Sequence, residues 1–319
     1  MNNYRILATP RSFGKDNPAP IRLLEENGCE VVRLPIANGD LHQQLVEHIP
    51  TADGIIAGLE PYDRDLIALG KRLKVISRYG VGYDKVDLKA AKEFGIKVTI
   101  TPGANSDSVA DLAIALMLAS ARNICPMDKA IRDGSRDKPI SGVEMFRKVL
   151  GVVGTGRIGK GVIQRAQGFQ MEILAYDLCP DQEFLSNYGG RYVDLDTLFQ
   201  QADFITLHAP LTDDTRDMVN ARRLAQMKPS AILVNTARGG IIDEQALYEA
   251  LKTGQIRAAA MDATKIEPAC ESPLTSLDNC ILTPHAGAAT VEAGLNMGMM
   301  AAHNVLDVLN GRKCEYSVV

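Results

Sequence analysis

Val149-Leu150-Gly151-Val152-Val153 is a short apolar run that leads into Gly154-Thr155-Gly156-Arg157-Ile158-Gly159, with a helical pattern after it. Glycines at this spacing have separate uses. Gly154 permits a tight turn, Gly156 keeps side-chain atoms away from an approaching pyrophosphate, and Gly159 lets a helix pack close to the strand. Arg157 and Ile158 open that helix, whose free N–H groups and positive dipole end attract phosphate. A second apolar run, 172–176, ends at Asp177, eighteen residues after Gly159. A carboxylate there accepts hydrogen bonds from the adenosine ribose hydroxyls and repels a 2′-phosphate, which selects NAD over NADP. Glycines that only punctuate a loop, and an aspartate that only ends a strand, are the plain alternatives.

Three more apolar runs end in polar groups. The run 231–235 leads into Thr236-Ala237-Arg238-Gly239-Gly240, the run 258–261 into Asp262 with Glu267-Pro268 beyond, and the run 281–283 into Pro284-His285-Ala286-Gly287. Ligands collect outside the carboxyl ends of strands in open α/β sheets. Reducing a 2-keto acid needs a cation to grip the carboxylate and polarise the carbonyl, and a guanidinium fits best because its planar fork matches a carboxylate. It also needs an acid that gives a proton near neutral pH, which histidine does. Arg238 and His285 are the candidates, with Glu267 as the carboxylate that would stabilise the charged imidazole. Thr236, Ala237, His208 and Pro210 are assigned to the cofactor side, with His208 a wall of the nicotinamide pocket rather than an acid. Each has a bland counterpart: Arg238 a surface charge, His285 a satisfied turn histidine, Glu267 a solvated loop residue, Asp262 a loop cap. His42, His48 and His303 fall on helical patterns and read as surface or packing residues.

These groups need a scaffold of alternating strands and helices. In the first hundred residues, 5–9, 29–34, 54–57, 74–77 and 96–100 read as strands, and 20–27, 41–49, 64–69 and 89–94 as helices. Gly28 and Gly95 fall where left-handed helix caps belong. A long apolar helix runs to about Ala121, with Ser106 as its expected cap, and its apolar faces predict burial between two bodies. Residues 132–138 read as a surface connection. A second block has strands at 149–153, 172–176, 204–207, 231–235, 258–261 and 281–283, and a final helix over 291–309 is expected to return to the first domain. The rhythm predicts α/β architecture with parallel sheets covered on both faces.

The 319 residues suggest two domains. With 46% hydrophobic and 23% charged residues and a net charge of −4, nothing resembles a nucleic-acid footprint. The N-terminal apolar run is too short for a signal peptide, and 109–121 is too short to span a bilayer; a cytoplasmic protein is expected, with no membrane partner. Six cysteines without a Cys-x-x-Cys pair read mostly as small core residues. No His/Cys/carboxylate cluster has metal-ligand spacing, so no metal is expected.

Taken together, Arg78-Tyr79-Gly80-Val81-Gly82-Tyr83-Asp84, Thr101-Pro102-Gly103-Ala104-Asn105, the glycine motif, 235–240 and Thr283-Pro284-His285 resemble the D-2-hydroxyacid dehydrogenase family, particularly its short phosphoglycerate-dehydrogenase-like members. The resemblance covers almost the whole chain. It implies two Rossmann-like domains: a flavodoxin-like substrate domain from 1–101 and 289–319, and an NAD-binding domain over 102–288, with catalysis in the cleft. It implies Arg238, Glu267 and His285 as catalytic residues, Asp262 as a ligand of the nicotinamide amide, and the Val81 and Gly82 amides as a substrate-carboxylate loop. It further implies a homodimer joined through the cofactor domain and the helix near Val109. The substrate class it implies is a small 2-hydroxy or 2-keto acid. Asp111 stands where many relatives carry glutamate. The stretch Ala57-Gly58-Leu59-Glu60-Pro61 lacks the cation that phosphate-binding relatives place there, which argues against a phosphorylated substrate. Ending near Val319 is taken to leave no room for a regulatory domain. Oxidation of D-3-phosphoglycerate and a corepressor-like, NAD-sensing interaction protein stay as alternatives.

Overall fold

The computed structural model describes residues 3–34, 40–135 and 139–319. Two compact units divide the chain: 1–105 with 288–319, and 106–287.

The first unit is built on five parallel strands, β1 (Tyr4–Ala8), β2 (Cys29–Arg33), β3 (Gly54–Ala57), β4 (Val75–Arg78) and β5 (Lys97–Thr99), in the order β2-β1-β3-β4-β5. This is the flavodoxin-like order. Side chains alternate across it because a strand has a period of two. Leu7, Ile55 and Ala57 enter one core, while Ile6, Ala8 and Ile56 enter the other. The closing helix Val291–Leu309 supplies Ala301, Ala302, Val305, Leu306 and Leu309 to the second core and packs on β3, β4 and the helix Ala19–Glu26. Its expected return to the first block is therefore observed. Full burial of an Ile or Leu side chain contributes about 1.5–3 kcal/mol, so this terminal segment is integral to the unit.

The second unit carries seven parallel strands: β6 (Val149–Val153), β7 (Glu172–Tyr176), β8 (Arg191–Tyr192), β9 (Phe204–Leu207), β10 (Ile232–Asn235), β11 (Ala258–Met261) and β12 (Cys280–Leu282). Their order is β12-β11-β10-β9-β6-β7-β8, the doubly wound arrangement in which the chain reverses direction between β6 and β9. Continuous apolar strands fit because both faces are covered. Ile232 and Val234 join one core and Leu233 the other. Helix Ser106–Ala121 lays Ala110, Ala113 and Met117 on one face, against helix Arg157–Ala166, β10 and β11.

Some expectations need correction. Ser106 is the first residue of its helix, not the residue before it, so its hydroxyl does not stand at the cap position. Helix Ile124–Arg132 takes up the start of the expected surface connection; of that stretch, 136–138 lie outside the described residues. Of the six cysteines only Cys29, on β2, is fully buried, whereas Cys125, Cys179 and Cys270 are exposed, because they occupy turns and outward helix faces rather than strands. Among the described residues no single helix is long and apolar enough to cross a membrane; one pair, bent by 64°, passes by length and composition only.

Candidate active site

One hydrogen-bonded row crosses most of the seven-stranded sheet. Tyr176 pairs with Val153, Val153 with Leu207, Leu207 with Asn235, Asn235 with Met261, and Met261 with Leu282. The next residue on each strand is Asp177, Gly154, His208, Thr236, Asp262 and Thr283. Parallel register therefore brings five of the sequence-predicted residues to one carboxyl edge.

At the β6 end, Gly154 adopts φ +91°, and a Cβ there would come within 2.8 Å of the Ala209 nitrogen on the neighbouring strand's continuation. A Cβ on Gly159 would lie 2.0 Å from the Gly154 carbonyl oxygen. Both positions exclude any other residue. Gly156 faces open space and caps helix Arg157–Ala166 without a side chain, so the first-turn amides, near exposed Arg157 and half-buried Ile158, keep their donors for an anion. Asp177 Oδ2 accepts from the Thr155 N–H at 2.6 Å and the Thr155 hydroxyl at 3.0 Å, and Oδ1 accepts from the Cys179 N–H at 2.8 Å. Tyr192 of β8 meets the same threonine hydroxyl at 2.8 Å. An open cradle of amides with a fixed carboxylate beside it fits a dinucleotide.

On β9, the His208 ring faces the Thr206 hydroxyl through Nε2 at 2.9 Å and the Thr236 hydroxyl through Nδ1 at 3.4 Å. Burial pushes its pKa down to about 3. Such an imidazole is neutral at ordinary pH and supplies no proton. Pro210 is exposed, and its carbonyl accepts from the Thr215 hydroxyl.

After β10, buried Asn235 shapes the arginine turn: its Nδ2 donates to the Arg238 carbonyl at 2.8 Å and its Oδ1 accepts from the Ala237 N–H at 3.0 Å. Arg238 itself donates from Nη1 to the Ala237 carbonyl at 2.8 Å. After β11, Asp262 is buried, with 2% of its surface exposed. Its Oδ1 accepts from the Thr283 hydroxyl at 2.6 Å and the Ala286 N–H at 2.7 Å, and its Oδ2 from the Gly287 N–H at 2.8 Å. The Asp262 carbonyl accepts from the His285 N–H at 2.9 Å. Asp262 thus grips both sides of His285, which is held at φ +54°. That φ is uncommon for a residue with a side chain. A carboxylate has about four lone-pair positions, so one on Oδ2 stays open. His285 Nδ1 meets Glu267 Oε1 at 2.9 Å, with both side chains partly exposed. This pairing orients the ring.

In the first unit, Val81 and Gly82 follow β4. Among the described residues their N–H groups have no partner within the chain. Buried Arg78 donates through Nε to the Gly82 carbonyl at 2.8 Å and through Nη1 to the Ala57 carbonyl at 3.2 Å. Two adjacent amides with no partner among the described residues form a place for an anion. Among the described residues no group of three or more His, Cys, Asp or Glu is arranged to hold a metal ion.

Residues 114–287 match the D-isomer specific 2-hydroxyacid dehydrogenase family, NAD binding domain. The chain belongs to that family. Among its relatives, the D-3-phosphoglycerate dehydrogenase of Methanocaldococcus jannaschii is 46% identical over 299 residues, covering 92% of this chain and 56% of its own length. The hydroxypyruvate reductase of Thermotoga maritima is 44% identical over 271 residues, covering 83% of this chain and 88% of its own. The D-lactate dehydrogenase of Aquifex aeolicus, solved with NAD and lactic acid, superposes with a TM-score of 0.83 at 28% identity, over 96% of each chain. The matched 2-hydroxyacid dehydrogenase segment contains all the candidates from Gly154 to His285; Val81 and Gly82 lie outside it.

Sequence reasoning missed Thr155, Asn235 and Thr283, whose side chains hold the turns that carry the expected residues. A polar residue at or just past a strand end is the only trace each leaves. Arg78 was visible within its motif but had no role until its burial was seen.

Proposed function

We propose that this chain is an NAD-dependent oxidoreductase acting on a small D-2-hydroxy or 2-keto acid. The observation that carries the reading is the His285–Glu267 pair at 2.9 Å, on a loop clasped by Asp262 at the edge that also bears the glycine turn. In the reduction direction, the Val81 and Gly82 amides receive the acid's carboxylate. Arg238 grips the same carboxylate and polarises the keto oxygen. His285 donates its proton to that oxygen from Nε2, while Glu267 at Nδ1 holds the ring in place for the transfer. NADH, when bound, would supply the hydride that the keto carbon accepts. The amides of the 154–159 turn would hold its pyrophosphate, Asp177 its adenosine ribose, and the open lone pair of Asp262 its nicotinamide amide. His208, with Thr236, Ala237 and Pro210, lines the cofactor side as a neutral wall.

The same reading makes 106–287 the cofactor unit and the remainder the substrate unit. It takes the protein to be a cytoplasmic homodimer joined through the cofactor unit. Ile124, Ile131, Ile140 and Phe146 of that unit are exposed, Ile131 at 71%, and are available for such a contact. Absorbance of NADH mixed with glyoxylate, pyruvate and hydroxypyruvate tests the activity. Turnover of at least one acid is expected. Cofactor binding with no turnover on any of them would favour an NAD-sensing interaction protein instead.

A further inference from the structure

Glu60 lies just past β3, in Gly58-Leu59-Glu60, and its two oxygens are treated unequally. Oε1 accepts three donors at once: the Gly58 N–H at 3.0 Å and the hydroxyls of Thr9 and Tyr62. Tyr62 is fully buried, and burial together with the Glu60 charge holds its phenol well above the usual range, so it stays a donor. Oε2 accepts nothing within the chain among the described residues, and it reaches over Gly58, where a Cβ would lie 2.6 Å from it. The side chain is thus pinned by one oxygen and presents the other.

Its place in the fold adds meaning. In the order β2-β1-β3-β4-β5 the chain parts direction between β1 and β3, and such a point opens a crevice beyond the strands' carboxyl ends. Thr9 is the first residue past β1. Ala57 pairs with Arg78, so Glu60 on one strand and Val81 on the next stand equally far beyond a shared register. Neighbouring strands lie about 4.8 Å apart, and Arg78 binds the two loops together through the Ala57 and Gly82 carbonyls. In a three-carbon acid, carbon 3 sits about 2.5 Å from the carboxyl carbon, given C–C bonds of about 1.5 Å. An acid whose carboxylate rests on Val81 and Gly82 therefore carries its third carbon on the scale of the gap between these loops.

The geometry points to Glu60 as the specificity-determining residue of the substrate unit: Oε2 accepts a hydrogen bond from a hydroxyl on carbon 3 of the 2-keto acid, and its charge turns away an acid that bears a phosphate there. This rests on the reading that Val81 and Gly82 hold the substrate carboxylate. A phosphate in that position would face a fixed carboxylate with no cation from the same loop, and like charges brought together in a partly buried site repel.

The test compares kcat/KM for hydroxypyruvate, its phosphate ester and pyruvate in the native chain, in Glu60→Gln and in Glu60→Met. Glutamine keeps an acceptor for Gly58, Thr9 and Tyr62 but removes the charge; the ratio of phosphate ester to hydroxypyruvate is expected to rise about 10-fold or more. Methionine removes the acceptor; the ratio of hydroxypyruvate to pyruvate is expected to fall about 10-fold, the scale of one lost hydrogen bond to a charged group. A purely loop-holding role would lower all three substrates together, and either ratio left unmoved would overturn the proposal. Calorimetric titration of D-glycerate and D-lactate into the NADH-loaded native chain separates this from the hydride-transfer reading. Preference for D-glycerate in a chain that reduces none of the keto acids with NADH would sink only the latter, and equal binding of the two acids would sink Glu60's role.

Discussion

At the carboxyl edge of the seven-stranded sheet, anions hold the backbone. Asp177 takes the Thr155 amide, and Asp262 takes the Ala286 and Gly287 amides. At the corresponding edge of the five-stranded sheet a cation is added: Arg78 takes the Ala57 and Gly82 carbonyls, beside Glu60, which takes the Gly58 amide. The sign of each clasp decides what its own loop can still receive. A carboxylate that has consumed nearby N–H groups keeps lone pairs, which suit donors such as ribose hydroxyls or an amide NH2. A guanidinium that has consumed carbonyls leaves the Val81 and Gly82 amides, which have no partner among the described residues, to suit an anion.

The largest expected effect comes from removing the proton donor that the anionic edge positions. His285→Ala should lower kcat by at least about 10²-fold, and near-normal turnover in steady-state assays would end that assignment. The contrast between the edges is sharpened by a pair of variants read side by side. Arg78→Met should raise KM for the keto acid about 10-fold, and Asp177→Ala should raise the Kd for NADH by a similar factor, each being the loss of one charge-assisted anchor. The crossed effects should be small, and if each variant weakened both ligands equally the division of labour would be wrong. The smallest effect concerns acid stability. An unfolded histidine binds a proton below about 6.5, whereas His208 in the fold holds none until about 3. Between those values the unfolded chain carries the extra proton, so this contribution is present above pH 6.5 and is lost as pH falls toward 3. At most about 5 kcal/mol should disappear across that window, less to the extent that water reaches the ring. Denaturant titrations of the native chain and of His208→Gln should show a shallower acid slope in the variant; identical slopes would count against a neutral ring.

Much of this arrangement was readable in the chain itself. β3, β6, β7, β9 and β11 have the bounds that their apolar runs predict, as do helices Arg64–Leu69 and Val291–Leu309. Buried parallel strands are unbroken apolar stretches closed by turn residues. β8 escaped because it is two residues long, polar and at the edge of its sheet. Helix Ile124–Arg132 escaped because Pro126 looks like a break, although proline is tolerated in a first turn. Within the site, the motif residues were legible by type and position. The clasps were not: Asp262 reaches residues 24 and 25 positions away, and the sharing of Glu60 by Thr9 and Tyr62 depends on β1 and β3 being neighbours.

The row of paired residues that closes the seven-stranded sheet also sets what lengths the chain tolerates. Deleting one residue within β10 would draw Thr236 back into the ladder and send each side chain beyond the deletion to the opposite face. Insertions in the connections at the far, amino-terminal edge would leave the six residues past the row where they are. Descendants of this sequence thus have wide freedom to lengthen one side of the sheet and almost none to change the register of its strands.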